Sequence, residues 1–259
     1  PDWRLQRLTE LVHPKKTVPT TFEFTDIAGI VKGASKGEGL GNQFLSHIRQ
    51  VDAICHVVRC FDDDNITHVE GRVDPLADID TINLELVLAD LESINKRYTR
   101  VAKIAKTKDK DAVAELAVLD KIKPVLEEGR SARSIDFTKK KKKIVKSLFL
   151  LTTKPILYVA NVAEDEVAES DTNHYVQEVR NFAAEEHAQV IVVSARAEEE
   201  IAELDEEDKA EFLEALGIEE SGLDQLIRAA YDLLGLATYF TAGEQEVRAW
   251  TFKKGIKAP

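Results

Sequence analysis

Thr21-Phe22-Glu23-Phe24-Thr25-Asp26-Ile27-Ala28-Gly29 is the stretch on which the reading of the fold turns. Apolar and polar residues alternate through 21–25, the pattern of a half-buried strand, and a glycine-rich segment from Lys32 to Gly41 follows. The spacing predicts a strand that feeds a loop in which an aspartate and an unobstructed amide lie close together. Such a pair suits the sensing of a γ-phosphate: the Asp26 carboxylate would hold a water on a magnesium ion, and the Gly29 N–H would donate to the phosphate. With Asp and Gly each at roughly 5 to 7% of residues, D-x-x-G arises about once by chance in a chain of this length. Its weight comes from two further strand ends.

Pro155-Ile156-Leu157-Tyr158-Val159-Ala160 is a short β-prone run that ends in Asn161-Val162-Ala163-Glu164. Gln189-Val190-Ile191-Val192-Val193 is another, and ends in Ser194-Ala195-Arg196. In doubly wound α/β proteins ligands bind beyond the carboxyl ends of parallel strands, so three motifs just past three strands are expected to line one crevice. Their order and spacing match the third, fourth and fifth motifs of a P-loop GTPase-type domain.

The run from Phe22 to Asn42 closely resembles the signature of the YchF, or Obg-like ATPase, family within the TRAFAC class of P-loop NTPases. So do His56-Val57-Val58-Arg59-Cys60-Phe61, Thr238-Tyr239-Phe240-Thr241-Ala242-Gly243 and Glu246-Val247-Arg248-Ala249-Trp250-Thr251. The resemblance covers essentially the whole chain. It implies an α/β nucleotide-binding domain, a helical coiled-coil insertion, a small β-rich TGS domain, a preference for ATP and association with ribosomes. The 259 residues contain no G-x-x-x-x-G-K-[ST] phosphate loop and begin at Pro1. The chain is therefore expected to be a fragment without the amino-terminal P-loop and switch I, stopping early in the TGS domain.

Composition is compatible with this. A chain of 259 residues with 44% hydrophobic content can bury a substantial core. A net charge of -12 argues against a surface built throughout to coat nucleic acid, though not against a local basic patch. Cys55 and Cys60 are expected on opposite faces of one strand, where they cannot pair, and two lone thiols suit a reducing compartment. The sequence holds no apolar run of about 18 residues, so no membrane partner is expected and a cytoplasmic location is. The remaining histidines, His13, His47, His56, His174 and His187, show no ligand spacing, and no structural metal is expected.

Between the strands the period changes. Leu84, Val87, Leu91, Ile94, Tyr98, Val101 and Ala105 step by threes and fours, the seam of a coiled coil held for about three heptads. Leu116, Leu119, Ile122 and Leu126 follow a polar turn over 107–111, which predicts an antiparallel helical hairpin inserted into the α/β domain. The expected boundaries are 1–74 and 148–237 for the two parts of the nucleotide-binding domain, 75–147 for the insertion and 238–259 for the start of the TGS domain. Lys139, Lys140, Lys141, Lys142 and Lys143 form an unbroken run at the return of the arm. They would contact ribosomal RNA phosphates, or they simply solvate a helix start, where cations oppose the macrodipole.

Base choice and catalysis depart from the ordinary GTPase pattern. GTPases use N-K-x-D as the fourth motif, whereas this chain has Asn161-Val162-Ala163-Glu164. Valine replaces the base-covering lysine and the carboxylate sits one methylene further out, which misplaces a bidentate guanine clamp. Adenine could be read by backbone groups near Val162. The resemblance assigns Asn161, Val162, Glu164, Ser194 and Ala195 to nucleotide binding. Ras-like enzymes place a water-orienting glutamine after D-x-x-G, but Ile30 stands here. The family solution that the chain resembles is a histidine from a later loop, and His68 occupies the matching position. Magnesium would enter with ATP, with Asp26 acting through water.

The expected function is a ribosome-associated ATPase, GTP being the poorer substrate and the large subunit the partner. Two alternatives are a non-enzymatic ribosome- or RNA-binding module with nucleotide as conformational ligand, and an Obg-type GTPase.

Overall fold

The computed structural model describes residues 2–27, 41–66 and 71–256, with the backbone alone for 41–43 and 206. Its strands are β1 (Lys16–Val18), β2 (Ile54–Arg59), β3 (Ile156–Asn161), β4 (Gln189–Val193), β5 (Leu236–Ala242) and β6 (Glu246–Lys253). The helices used below are α1 (Trp3–Val12), α2 (Gly41–Gln50), α3 (Pro75–Ala105), α4 (Lys110–Glu127), α5 (Lys139–Ser147), α6 (His174–Glu185), α7 (Ala195–Glu203), α8 (Glu206–Leu216) and α9 (Gly222–Leu233).

β2, β3 and β4 form a parallel sheet with β3 in the middle, Ile54 opposite Ile156 and Leu157 opposite Gln189. β3 is buried from Ile156 to Ala160, which explains its unbroken apolar sequence: helices cover both faces. Ile156, Tyr158 and Ala160 join Val58, Cys60 and Ile79 against Val176, Val179 and Ala183 of α6. Leu157 and Val159 point the other way, with Ile191 and Val193, onto Ala229 of α9. Cys55 packs with this second group and Cys60 with the first, and both thiols are free. α9 approaches β4 so closely at its first residue that a Cβ on Gly222 would lie 2.6 Å from Val193 Cγ1.

The arm begins where Pro75 takes the first position of α3 and the Asp74 carboxylate accepts from the Ala77 N–H at 3.1 Å. The helix runs for 31 residues, a length of about 46 Å. α4 returns after Asp109 caps it by accepting from the Ala112 N–H at 2.8 Å. Val87, Ile94 and Val101 of α3 bury against Val118, Leu119, Ile122 and Leu126 of α4, with Leu91, Tyr98, Ala105 and Leu116 packed around them. Arg97 pairs with Glu115, and the Tyr98 hydroxyl donates to Asp120 at 2.9 Å, bonds that cross an antiparallel hairpin. Leu84 departs from the expected seam. It is 48% exposed, because at that level the neighbours of α3 are the sheet and α2, which its other faces meet.

Asp90 ties the base of the arm together. Its carboxylate, fully buried, accepts from the Leu151 N–H at 2.9 Å and from the Thr152 N–H and hydroxyl at 2.8 Å each. The Arg49 guanidinium of α2 stands 3.7 Å away. Burial pushes the Asp90 carboxyl above its ordinary range, against the pull of those donors and of Arg49. Thr152 Oγ1 also accepts from the Ala132 N–H at 3.2 Å, so α2, α3, the segment after α4 and the segment entering β3 all meet here.

A second sheet has the order β1-β6-β5, with β1 parallel and β5 antiparallel to β6. Leu5, Leu8 and Val12 of α1 cover one of its faces through Val247, Ala249 and Phe240. One expectation fails beside it: residues 21–25 are not a strand. A strand needs a neighbour for its amides and carbonyls, and among the described residues none pairs with this run. The alternation instead brings the Phe22 ring 4.9 Å from Phe24 and 5.5 Å from Tyr231 of α9.

Asp90→Ala would leave two amides and a hydroxyl without an acceptor. It is expected to lower stability by about 3 kcal/mol in urea unfolding at pH 7, with an unchanged m-value, and Asp90→Asn by less. His56 on β2 is partly buried and its Nδ1 has no hydrogen-bond partner. Burial, reinforced by Arg133 and partly offset by Asp78, pushes the imidazole down to about 4 from 6.5. The unfolded chain takes up the proton first. The stability that neutral His56 contributes is therefore complete above about pH 6.5 and is lost as pH falls toward 4. His56→Phe should flatten that acid limb by about 2 kcal/mol, read from urea midpoints across pH 4 to 7.

Candidate functional site

The carboxyl ends of the three parallel strands are stitched to one another by the backbone. The Cys60 N–H donates to the Asn161 carbonyl at 2.8 Å and the Val162 N–H to the Val193 carbonyl at 2.9 Å. Asn161 adds its side chain: Oδ1 accepts from the Ala195 N–H, the first of α7, at 2.9 Å. Ser194 is buried as the cap of that helix, its hydroxyl 3.4 Å from the Ala197 N–H. Asn161, Val162, Ser194 and Ala195 thus converge as the sequence predicts. The amide of Val162, however, is committed to Val193 and its side chain is buried, so it has no N–H to offer a base. Backbone reading of a ligand falls to other groups of this loop.

Glu164 opens a turn of 3-10 helix, and its carboxylate lies 3.3 Å from Arg196 Nε, which also stands 3.7 Å from Glu200. Arg196 is 77% exposed. The pair contributes little stability at such exposure, but it turns the Glu164 carboxylate toward α7. Nothing in the sequence spacing marks Arg196 for this role, since the pairing depends on where β4 hands over to α7. A guanidinium on the rim presents a flat cationic face that can cover a heterocycle.

Asp26 is exposed. Its neighbour Ile27 packs against the cluster of Leu45, Ile48, Leu86 and Ala89, beside α2. Among the described residues, Asp26 has no hydrogen bond or ion pair to Asn161, Glu164, Ser194 or Ala195. Gly29, the stretch from Lys32 to residue 40 and His68 lie outside the described residues. The loop that leads to His68 is nevertheless pinned. Arg59, the last residue of β2, donates to the carbonyls of Phe61 at 3.0 Å, Ile66 at 3.0 Å and Asp63 at 3.3 Å, and lies over the Phe61 ring. One arginine donating to three carbonyls was not legible in the sequence, which carried the strand on to Cys60, whereas it ends at Arg59.

A polar crevice lies next to this rim, walled by Asp62, Asp165, Glu166 and Glu169 together with Asn173 and Tyr175. The Tyr175 hydroxyl reaches both Asp62 oxygens at 3.1 Å, and Asn173 Nδ2 donates to the Cys60 carbonyl at 3.0 Å and to Glu166 at 3.1 Å. Four carboxylates repel phosphates, so this crevice is a structural seam and not a phosphate cradle. Among the described residues no cluster of histidine, cysteine and carboxylate side chains is placed to hold a metal ion. None of the described helices is long and apolar enough to cross a membrane.

Residues 6–89 match the sequence model of a family described as 50S ribosome-binding GTPase. Over 259 residues, all of this chain and 71% of that protein, the chain is 71% identical to the ribosome-binding ATPase YchF of Bacillus subtilis. The protein of that name from Haemophilus influenzae is 56% identical, with 100% of this chain and 70% of that protein covered. The solved structure of the Schizosaccharomyces pombe YchF GTPase superposes with a TM-score of 0.87 at 39% identity, covering 100% of this chain and 70% of that one. The fold is α/β, with a P-loop GTPase-like domain, a helical insertion and mixed sheets. The chain belongs to the YchF family.

Proposed function

We propose that the protein is a ribosome-associated P-loop NTPase of the cytoplasm that hydrolyses ATP in preference to GTP. The observation that carries the base preference is the turn of Glu164 toward Arg196 at 3.3 Å. A guanine clamp needs a carboxylate placed to accept two hydrogen bonds from the base, and this one is a methylene longer than aspartate and turned toward α7. The names of the bacterial relatives, ribosome-binding ATPases, support the same reading. The GTPase name of the fission-yeast structure and of the matched family model favours the rival, and the side chain at 164 argues against it.

In this reading Asn161 holds the two base loops together, Ser194 and Ala195 form the far side of the base site, and Arg196 covers the ring. Val162 contributes its carbonyl and its bulk. The exposed Asp26 carboxylate fits a magnesium ion held through water, and the ion would neutralise phosphate charge. Gly29 would offer an amide to the γ-phosphate. His68 would accept a proton from, or orient, the attacking water, with Arg59 fixing the loop that delivers it. The phosphate loop would come from a G-x-x-x-x-G-K-[ST] segment, which these 259 residues do not contain. The division into 1–74 with 148–237, a coiled-coil arm over 75–147 and the start of a TGS domain at 238 accompanies this reading. The large ribosomal subunit is the proposed partner, with Lys139, Lys140, Lys141, Lys142 and Lys143 facing RNA phosphates.

Titration calorimetry decides the base. With a G-x-x-x-x-G-K-[ST] segment joined at the amino terminus, ATP should bind at least tenfold more tightly than GTP. Glu164→Asp should narrow the gap. Equal or tighter GTP binding by the parent removes the ATP assignment. In the same chain His68→Ala should lower turnover by about 10²-fold with nucleotide affinity nearly unchanged, and Arg59→Ala should follow it in part. No turnover in the parent with ribosomes present would favour a binding module over an enzyme.

A further inference from the structure

α5 carries six lysines in nine residues, and among the described residues none of the six pairs with a carboxylate, although the chain holds 47 acidic residues. Lys139, Lys140, Lys142, Lys143 and Lys146 are exposed along the outer side of the helix. Its inner side, Ile144, Val145 and Leu148, is consumed by the core of the arm. The positive stripe therefore rests on a fixed support, and its apolar face is not available to a lipid surface.

Directly after this helix stands Phe149, 69% exposed, between half-buried Leu148 and buried Leu150. Its φ is +52°, a left-handed conformation for which the chain elsewhere uses Gly129, Gly217 and Gly235. The other described non-glycine residues in this region, His13, Lys108 and His187, are polar; Phe149 is the apolar one. The strained backbone is clamped: the Phe149 carbonyl accepts from Arg49 Nη1 at 2.9 Å, and Arg49 is itself held by Asp90 at 3.7 Å and Ser93 at 3.4 Å. A glycine would satisfy the turn, and a buried ring would serve the core. An aromatic ring held in water at the end of a lysine helix does neither.

We propose that α5 and Phe149 form a docking surface for single-stranded RNA, with the exposed lysines meeting successive phosphates and the Phe149 ring stacking on an unpaired base. This rests on the ribosome reading above and names the chemistry of the contact. Lysines three and four residues apart lie about 5 Å apart along the helix, a stripe that can follow a backbone. A duplex keeps its base faces stacked away from an aromatic ring, whereas a single strand offers them.

Fluorescence anisotropy with the full chain tests it, using a labelled 12-nucleotide oligoadenylate, the duplex RNA of the same length and anionic lipid vesicles as probes. The oligoadenylate should bind more tightly than the duplex. Phe149→Gly, which relaxes the backbone and so keeps the fold, should weaken oligoadenylate binding about tenfold with an unchanged salt slope. Phe149→Trp should retain it. Lys140→Glu with Lys143→Glu should flatten the slope of log K against log salt by about 1.4. Equal binding by Phe149→Gly, duplex binding as tight as single-strand binding, or binding of vesicles in place of RNA would each overturn the proposal. Co-sedimentation with ribosomes tests the underlying reading separately: its failure removes the ribosome assignment, while the oligonucleotide titration, which contains no ribosome, still decides the surface.

Discussion

A carboxylate with no access to water holds the arm to the α/β domain. Asp90 faces two amides, a hydroxyl and a guanidinium that come from two other parts of the chain, 151–152 and α2. Desolvating a charge is costly, and it persists here because the donors of Leu151 and Thr152 would be stranded without it. The geometry that follows is extensive. The return of the arm enters β3 at a fixed point, and Lys154 goes on to donate to the carbonyls of Arg49 at 3.1 Å and Val51 at 2.6 Å. α2, which follows the glycine-rich stretch, is bound to the base of a helix pair that reaches well beyond the sheet. Arg49 belongs at once to α2, to Asp90 and to the carbonyl of Phe149.

The site obeys a second constraint, that loops beyond parallel strands must satisfy their own polar groups before they can serve a ligand. Asn161 spends its side-chain oxygen on Ala195, Val162 spends its amide on Val193, and Arg59 spends its guanidinium on three carbonyls. These commitments tie the rim loops to one another and remove groups that would otherwise be counted as recognition elements. Glu164 and Arg196 are the charged side chains that project from this rim, 3.3 Å apart. The acidic crevice beside it shows the reverse situation, in which polar groups line a hollow yet their charge excludes the anionic end of a nucleotide.

The amino-acid sequence by itself determined the elements whose periods are strong and whose partners are local or symmetrical. The buried run of β3, the short run of β4 and the heptad steps from Val87 to Ala105 were legible because each side chain is placed by a period of two or of three and a half. The start of the insertion at 75 and the polar turn over 107–111 were legible for the same local reason, and the structure adds that Asp74 and Asp109 cap the helices that begin there. Family membership was legible too, since long glycine-rich signatures survive without any knowledge of contacts.

Only the tertiary structure decided what depends on distant partners. The alternation of 21–25 reads as a strand, but pairing is a property of two segments, and Phe22 and Phe24 instead pack as aromatic residues near α9. Leu84 falls on the heptad seam, yet it turns to solvent because the partner helix does not extend to its level. The engagement of Glu164 by Arg196, the loss of the Val162 amide and the clamp of Arg49 on Phe149 join residues up to 100 positions apart. A period places a side chain on a face, and only the packing of whole elements decides what that face meets.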